Sequence, residues 1–431
     1  MKTYSVIAVL SALVAAQERP ALLTRTEALR LGREGNLALQ EAGLQRDAAD
    51  AARAAAGGAL LPGVSLASTL SRTGPNLAGD PRNAGAVSAQ PDLQWSSSLQ
   101  FSWTFLNPGA LGAWRSAAAS ADAAGIHARG QAIQLSAALD LGYHDVVRQQ
   151  LLLAAAAEEL ELSRVRRDIA ISHRTIGISS ALEPLQAQLA VDADSAALLV
   201  QLSSLDQSRR SLNALIGRDP GTPFRVEDSI PLPDPGDREQ ILSEARAGSP
   251  GLAEAESRSR AATATARAAE ISVLSPTVSA FATYGLLDRW HDRNPPSDLS
   301  AQGFAYGLQA TWSLFAGGSQ SAQARSARAQ SRIAELVRAD SALQLERGVS
   351  QGWDAWIRSR AAVELGDRGM ALADSVLRIA SAQYRSGGLS GVDLRQAQEN
   401  AMLARSRAAQ ARWTARVAGI QLIVAAGREP K

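Results

Sequence analysis

Residues 94–106 read Gln-Trp-Ser-Ser-Ser-Leu-Gln-Phe-Ser-Trp-Thr-Phe-Leu, and this stretch decides the class of fold. Large apolar side chains alternate with Ser, Thr and Gln, which is the two-residue period of a β-strand. The predicted apolar face carries Trp95, Leu99, Phe101, Trp103 and Phe105. About ten such residues suffice for a tilted strand to cross a bilayer, although a half-buried sheet in a soluble protein shows the same alternation.

The same kind of strand recurs roughly 210 residues further along the chain, over 303–315. Its predicted apolar face carries Phe304, Tyr306, Leu308 and Trp312. Further landmarks recur in the same order and at a similar spacing: Leu61-Pro62 and Ser275-Pro276, Gly177 and Gly388, Gln186 and Gln396, and Gly217 and Gly427. We therefore predict an internal duplication, with a first repeat over 17–217, a linker over 218–237 and a second repeat over 238–431.

Each repeat is predicted to contain a helix, two strands, a long helix, a turn and a return helix. The predicted strands are 63–71 and 94–106 in the first repeat, and 276–286 and 303–315 in the second. The first helix is predicted over 24–57, the long helices over 109–172 and 317–384, and the return helices over 184–216 and 392–426. Val191, Leu198, Leu205 and Leu212 recur every seven residues, as in a coiled coil. The predicted fold is mainly α-helical, with a long antiparallel helical barrel and four membrane β-strands.

Residues 1–16 have the pattern of a secretory signal peptide. Lys2 precedes an apolar stretch over 6–16, and the small residues Val14 and Ala16 stand before the expected cleavage point. We therefore expect export from the cytoplasm. No later stretch has the ~18 uninterrupted apolar residues of a membrane-spanning helix, so any membrane crossing must use strands.

Composition excludes several classes of function. The 44 Lys and Arg residues nearly balance 42 Asp and Glu residues, which gives no basic footprint for nucleic acid. The chain has no cysteine, hence no disulfide, no thiolate metal site and no lipidated N-terminal cysteine. The four histidines are scattered, at His127, His144, His173 and His291. We predict no catalytic residue, no metal and no cofactor.

Four strands cannot form a closed barrel, because spanning barrels need about eight strands and open sheet edges are not tolerated in lipid. Two copies of the chain would supply eight strands, and three copies would supply twelve and leave room for a pore. The sequence therefore predicts an oligomer, and a channel function favours a trimer.

With these features the chain resembles the outer-membrane efflux proteins, the TolC-like trimeric channel-tunnels. The residues that carry the resemblance are Leu61-Pro62, the junction 314–318 (Leu-Phe-Ala-Gly-Gly), the segment 384–387 (Tyr-Arg-Ser-Gly) followed by Ser390 and Asp393-Leu394, and Gly217 and Gly427. The resemblance implies a 12-stranded barrel in the outer membrane continued by a 12-helix periplasmic tunnel. It also implies docking with a periplasmic adaptor (membrane fusion) protein and an inner-membrane transporter, or with a type I secretion system.

The turns between long and return helices are the periplasmic tips under this interpretation. Residue types alone predict capped helical hairpins, with glycine and serine just before a helix. The resemblance adds that the tips contact the adaptor and form the moving part of a gate. The predicted tip residues are Arg174, Gly177 and Ser180 in the first repeat, and Arg385, Gly388 and Ser390 in the second.

Asp393 matches the position at which the family places an acidic ring around the tunnel mouth. Three copies of one carboxylate would favour cations. The second acidic position of the family is Gln396 in this chain, and Glu183 stands at the equivalent place in the first repeat. A simpler interpretation makes Asp393 a carboxylate stabilised by the dipole of its helix.

Arg164, Arg166 and Arg167 near the first tip are predicted to lie on a solvated helix face rather than to bind adaptor carboxylates. The predicted function is a passive outer-membrane exit duct for efflux or secretion. The alternative is a periplasmic coiled-coil adaptor or scaffold, which would lack two pairs of strands with aromatic outer faces.

Overall fold

The computed structural model describes residues 21–73, 92–177, 180–291 and 299–430, so the predicted signal peptide lies outside the described residues. Eight helices and four strands follow one another along these ranges. They are α1 (Arg25–Gly35), α2 (Leu37–Gly58), β1 (Gly63–Thr73), β2 (Asp92–Leu106), α3 (Pro108–Thr175), α4 (Leu182–Ile216), α5 (Arg238–Gly248), α6 (Pro250–Leu274), β3 (Thr277–His291), β4 (Leu299–Thr311), α7 (Ser319–Arg385) and α8 (Gly391–Ala425). None of the helices in the described ranges combines the length and apolar character needed to traverse a bilayer.

The same order of elements occurs twice, which confirms the predicted internal duplication. The elements α1 to α4 with β1 and β2 form the first series, and α5 to α8 with β3 and β4 form the second. The long helices α3 and α7 contain 68 and 67 residues, and the return helices α4 and α8 contain 35 each. Alanine-rich sequence with few helix-breaking residues accounts for these lengths, and the bounds fall within a few residues of the predicted ones.

The predicted helix over 24–57 is divided at Asn36, whose backbone leaves the helical conformation (φ −73°, ψ 121°). The Asn36 amide donates to the carbonyl oxygen of Leu215 at 3.0 Å, and its Oδ1 accepts from the Leu39 amide at 3.1 Å. Asn36 therefore ends α1, caps α2 and fastens both to the end of α4. Ser249 divides α5 from α6 at the corresponding place in the second repeat.

The strands form one antiparallel sheet in the order β1-β2-β3-β4, with β1 and β4 at its edges. Phe101 lies opposite Val64 on β1 and Ala282 on β3, and Ala282 lies opposite Tyr306 on β4. Residues directly opposite each other project from the same face of a sheet. The register therefore gives one face to Trp95, Leu99, Phe101, Trp103, Phe304, Tyr306 and Leu308. We call this the apolar face.

Several details of the sheet differ from the prediction. β3 continues to His291 instead of ending at 286, and β4 begins at Leu299 instead of 303. β4 ends at Thr311, so Trp312 lies just beyond the strand, and 53% of it is exposed. A bulge follows Trp103, after which the Phe105 ring centroid lies 5.7 Å from that of Trp103. The opposite face is mostly Ser, Thr and Gln but also carries Phe281 and Arg289.

The contacts divide the chain into two compact units. Among the described residues, the helical unit contains 21–44, 126–177, 180–253 and 340–430, and the sheet unit contains 45–73, 92–125, 254–291 and 299–339. In the helical unit the linker packs into the core through Phe224, Val226 and Ile230. Of the four predicted coiled-coil positions, Val191, Leu205 and Leu212 are buried and Leu198 is half-buried.

A fully buried carboxylate joins distant segments of the helical unit. Asp140 on α3 accepts from Arg25 Nε at 2.5 Å and from Arg416 Nε and Nη2 at 2.9 and 2.7 Å. Arg25 also donates to the Pro430 carbonyl, and Arg416 to that of Pro231. Burial alone would raise the pKa of Asp140, but the guanidinium partners hold it below its usual value. This Asp140 cluster links α1, α3, α8, the linker and the C-terminal segment.

The two predicted closing glycines make the same contact in each repeat. Gly217 and Gly427 both have left-handed backbone conformations, with φ of +82° and +71°. A Cβ atom on Gly217 would lie 2.2 Å from the carbonyl oxygen of Gly35, and one on Gly427 would lie 2.2 Å from that of Gly248. Only glycine satisfies both the backbone angle and the close approach.

Candidate functional site

The turns at the helical tips share one backbone geometry. Gly177 has φ +78° and donates to the Arg174 carbonyl at 3.1 Å, and Gly387 has φ +77° and donates to the Tyr384 carbonyl at 3.1 Å. The left-handed glycine of the second tip is therefore Gly387, one residue before the predicted Gly388.

The reason is the hydrogen-bonding pattern that ends α7. The Gly388 amide donates to the Gln383 carbonyl at 2.9 Å, while Gly387 bonds to Tyr384. This pair of bonds is a Schellman motif, which needs positive φ at the residue just after the helix. Gly388 takes the next position, where positive φ is not required.

The two tips differ in how the return helix begins. Ser390 is the N-cap of α8, accepting from the Asp393 amide at 3.1 Å and donating to its carboxylate at 2.7 Å. Ser180 accepts from the Leu182 amide at 3.3 Å, and the N-cap position of α4 is Ala181. The predicted cap is therefore present at Ser390, whereas Ser180 does not occupy the N-cap position.

The predicted acidic residues lie in different surroundings. Asp393 is exposed in the first turn of α8, and Gln396 is exposed one turn later, where its amide donates to Asn400 at 3.2 Å. Glu183 is half-buried and accepts from the Tyr384 hydroxyl at 3.1 Å. Burial, reinforced by Glu183, raises the pKa of Tyr384 to about 12. This bond joins the start of α4 to the end of α7, and hence the two repeats.

A second connection between the repeats centres on Arg395 of α8. Its guanidinium forms a two-point contact with Asp194 of α4 at 2.7 and 2.9 Å. It also donates to Glu159 and Ser163 of α3, both at 3.0 Å, and to Glu399 at 2.7 Å. We call Arg395, Asp194, Glu159, Ser163 and the neighbouring Arg166 the tip cluster.

Charges in the tip cluster are not evenly matched to partners. Burial raises the pKa of Glu159 to about 6, although Arg395 opposes the shift. Burial and the proximity of Arg395 lower the pKa of Arg166, whose exposed fraction is only 6%. Arg166 is therefore not on a solvated face as predicted, whereas Arg164 pairs with Glu161 and Arg167 with Asp168.

The tip cluster borders a cleft of about 600 Å³. Residues from both hairpins line it, including Arg166, His173, Glu183, Tyr384, Leu389 and Arg395. Sequence analysis did not single out Tyr384, Arg395, Glu159 or Asp194 as functional positions. Their partners are roughly 200 residues away along the chain, so no local motif connects them.

The other predicted tip residues are accessible. Arg174 and Arg385 lie in the last turns of α3 and α7, and both are exposed, as are Gly177, Ser180, Gly388 and Ser390. Nothing in this geometry resembles a catalytic constellation. Among the described residues no group of three or more acidic or histidine side chains could hold a metal ion.

Comparison with protein families decides the general function. The model of the family described as outer membrane efflux protein matches residues 28–218 and 241–428, and so covers both series of elements. The chain belongs to the outer membrane efflux protein family. It is accordingly a transport duct rather than an enzyme, located in the outer membrane, with its long helices on the periplasmic side.

Solved structures of outer-membrane channels share the fold. The outer membrane protein VceC of Vibrio cholerae is 17% identical, with a TM-score of 0.80 over 94% of this chain and 96% of that one. The CmeC outer membrane channel of Campylobacter jejuni is 16% identical, with a TM-score of 0.81 over 94% and 85%. The open state of the Neisseria gonorrhoeae MtrE channel is 17% identical, with a TM-score of 0.75 over 94% and 89%. A search of curated protein sequences finds no match.

Proposed function

We propose that three copies of the chain form one exit duct, which receives its cargo from a periplasmic adaptor and an inner-membrane transporter. The four-stranded sheet with two free edges carries this proposal. Free edges are not tolerated in lipid, and β4 of one copy can pair with β1 of the next. Three sheets then close into a barrel of twelve strands, wide enough for a pore.

Exposed apolar side chains on the helical unit support the same assembly. Leu182, Leu185 and Leu189 follow one face of α4, and Leu365, Leu372, Val376 and Ile379 follow one face of α7. Both sets have helical spacing and are exposed in the single chain. Contiguous apolar faces of this kind mark protein interfaces.

Native mass spectrometry of the detergent-solubilised protein tests the stoichiometry. We expect a trimer for the unchanged chain. Leu185→Asp combined with Leu372→Asp should reduce the trimer fraction, because charge enters the apolar contact. Leu403→Asp on α8 is the matched control. A monomer or dimer for the unchanged chain would refute the trimer.

The apolar face of the sheet contacts lipid in this arrangement. Leu99→Arg should then oppose insertion by roughly 2–4 kcal/mol, as for arginine at the middle of a bilayer. Ser98→Arg, on the opposite face, should insert normally. Equal insertion of both variants into liposomes would contradict the assignment of faces.

The exposed tips are the docking surface for the adaptor. Arg174→Glu combined with Arg385→Glu should abolish co-purification of the adaptor from cell envelopes, while Arg347→Glu with Arg358→Glu should leave it unchanged. The class of transporter that co-purifies distinguishes an efflux pump from a type I secretion system. Retention of the adaptor by the tip variant would show that Arg174 and Arg385 do not bind it.

The tips are also the gate. Tyr384–Glu183 and Arg395–Asp194 hold the two hairpins together, so breaking them should widen the periplasmic aperture. Three exposed Asp393 carboxylates around the axis would favour cations there, with Gln396 adding no charge. Asp393→Ala should lower the cation preference of single channels. The effect of Glu183→Ala on that preference should be smaller, because Glu183 faces Tyr384.

A further inference from the structure

The sheet unit contains a basic cleft that the duct function does not use. Helices α3 and α6 touch where Gly112 meets Ala268: a Cβ atom on Gly112 would lie only 1.9 Å from that of Ala268. On one side of this contact, the depression is lined by Ala, Ser, Thr and Gln residues such as Ser116, Ser120 and Gln323. On the other side of the contact a second cleft is lined by arginine and aromatic side chains.

That other cleft measures about 800 Å³ and contains three arginines, Arg115 on α3 and Arg260 and Arg267 on α6. All three are exposed, and no carboxylate is among the described residues that line the cleft. Arg260 donates to the Ser257 hydroxyl at 2.8 Å, a neutral partner. The cleft therefore presents uncompensated positive charge.

Aromatic and apolar side chains form the end of the cleft next to the sheet. Trp103 from the apolar face and Phe105, which follows the bulge, line it together with Leu111 and Ile271 from the helices. The Trp103 indole nitrogen donates to the Leu60 carbonyl at 3.0 Å, which fixes the ring at the junction of strand and helix. The lining passes directly from guanidinium groups to the surface proposed to contact lipid.

We propose that this cleft binds the phosphate headgroup of an anionic phospholipid in the periplasmic leaflet, with the acyl chains lying on the apolar face. Guanidinium groups bind phosphate oxygens through paired hydrogen bonds and are weakly hydrated, so they suit a site beside lipid. Basic pockets at a membrane surface select anionic headgroups. The inference rests on the proposed contact between the apolar face and lipid.

The place of the cleft within the sheet unit keeps it accessible after assembly. It lies on α3, α6 and β2, and β2 is an inner strand of the sheet. Assembly through the edge strands β1 and β4 leaves this surface free.

The test uses the full-length protein in nanodiscs of phosphatidylethanolamine, with or without one-fifth phosphatidylglycerol. The variant Arg115→Gln/Arg260→Gln/Arg267→Gln removes the three charges at nearly constant side-chain size. The control Arg347→Gln/Arg358→Gln/Arg360→Gln removes three exposed charges from the helical unit. Lipids retained after detergent extraction are counted by native mass spectrometry, and inorganic phosphate is added in a competing arm.

We expect selective retention of phosphatidylglycerol by the unchanged protein and the control, and loss of that selectivity in the cleft variant. Each arginine removed should weaken binding roughly fivefold, or about 100-fold for all three. Undiminished selectivity in the cleft variant, or displacement of lipid by millimolar phosphate, overturns the proposal. Failure of all three proteins to enter nanodiscs would instead refute the lipid contact of the apolar face.

Discussion

The Asp140 cluster and the tip cluster are both buried networks of arginine and carboxylate that tie the repeats together, yet they differ in balance. In the Asp140 cluster two arginines surround one carboxylate, whose pKa is held low. In the tip cluster Arg395 serves several carboxylates, and Glu159 has a raised pKa. In the Asp140 cluster two guanidinium groups share one carboxylate, whereas the tip cluster contains two of each, Arg395 and Arg166 with Asp194 and Glu159.

The two clusters also differ in their access to solvent. Asp140 has no exposed surface, and its arginines also bond to the Pro231 and Pro430 carbonyls. The tip cluster borders a cleft of about 600 Å³ that water can enter. A fully buried network resists rearrangement, whereas one beside a cleft can exchange its partners for water. We therefore propose that the Asp140 cluster is a fixed point of the helical unit and that the tip cluster lies where the proposed gate opens.

The largest effect is expected from Arg416→Met. This change leaves the fully buried Asp140 with one arginine instead of two, and breaking a buried pair costs about 3–5 kcal/mol. Chemical denaturation should therefore show a severe loss of stability, or little folded protein. Arg412→Met, which removes a half-exposed pair with Asp367, should cost at most about 1 kcal/mol. Equal losses of stability in the two variants would show that the buried pair contributes no more than the surface pair.

Arg395→Met should act on the gate more than on stability. It leaves Asp194 and Glu159 without their shared cation, but Arg395 itself lines the cleft, so water can fill the space that its guanidinium leaves and we expect a loss of roughly 1–3 kcal/mol. Single-channel conductance should increase because the hairpins are released. Arg412→Met, on the same helix, removes a contact to Asp367 within a single hairpin and serves as the control. A closed channel with Arg395→Met would rule out the tip cluster as a restraint.

Glu159→Gln should produce the smallest effect, and one that depends on pH. The pKa of Glu159 is about 6 in the folded chain, above its ordinary value of 4.5, so folding favours the protonated form. Stability from this group is full below pH 4.5 and is lost as the pH rises through 6. Glutamine resembles the protonated form, so the variant should be more stable at pH 7.5 by on the order of 1–2 kcal/mol.

The gain should vanish near pH 4. Glu158→Gln, an exposed neighbour, should show no such gain, and thermal unfolding between pH 4 and 8 measures both. A flat difference between Glu159→Gln and the unchanged protein across this range would mean that Glu159 does not titrate in the tip cluster.

Local patterns predicted most of the fold. The two-residue period around Trp103 identified a strand and the side chains of one face, because pleating alone determines that alternation. The duplication followed from the ordered landmarks that end at Gly217 and Gly427. Asn36 was not recognised as a break, because nothing in its neighbours signals that its side chain bonds to Leu215.

The site was harder to predict because its contacts are distant in sequence. Arg164, Arg166 and Arg167 look alike in the chain, and only the packing of α8 against α3 separates buried Arg166 from its paired neighbours. Glu183 and Tyr384 are likewise joined only by tertiary structure. The capping contact between Ser390 and Asp393 was predictable, since a serine just before a helix is a local capping signal.

The contact between Gly217 and Gly35 gives α4 the mechanics of a lever. The helix is held at its Gly217 end, while its other end at Leu182 belongs to the tip. Its 35 residues correspond to about 52 Å at 1.5 Å per residue. A rotation of about 5° at the glycine pivot would carry the far end through roughly 4–5 Å, and α8 repeats the arrangement from Gly427. A methyl group at either pivot would therefore displace the tip end of its helix further than the pivot itself.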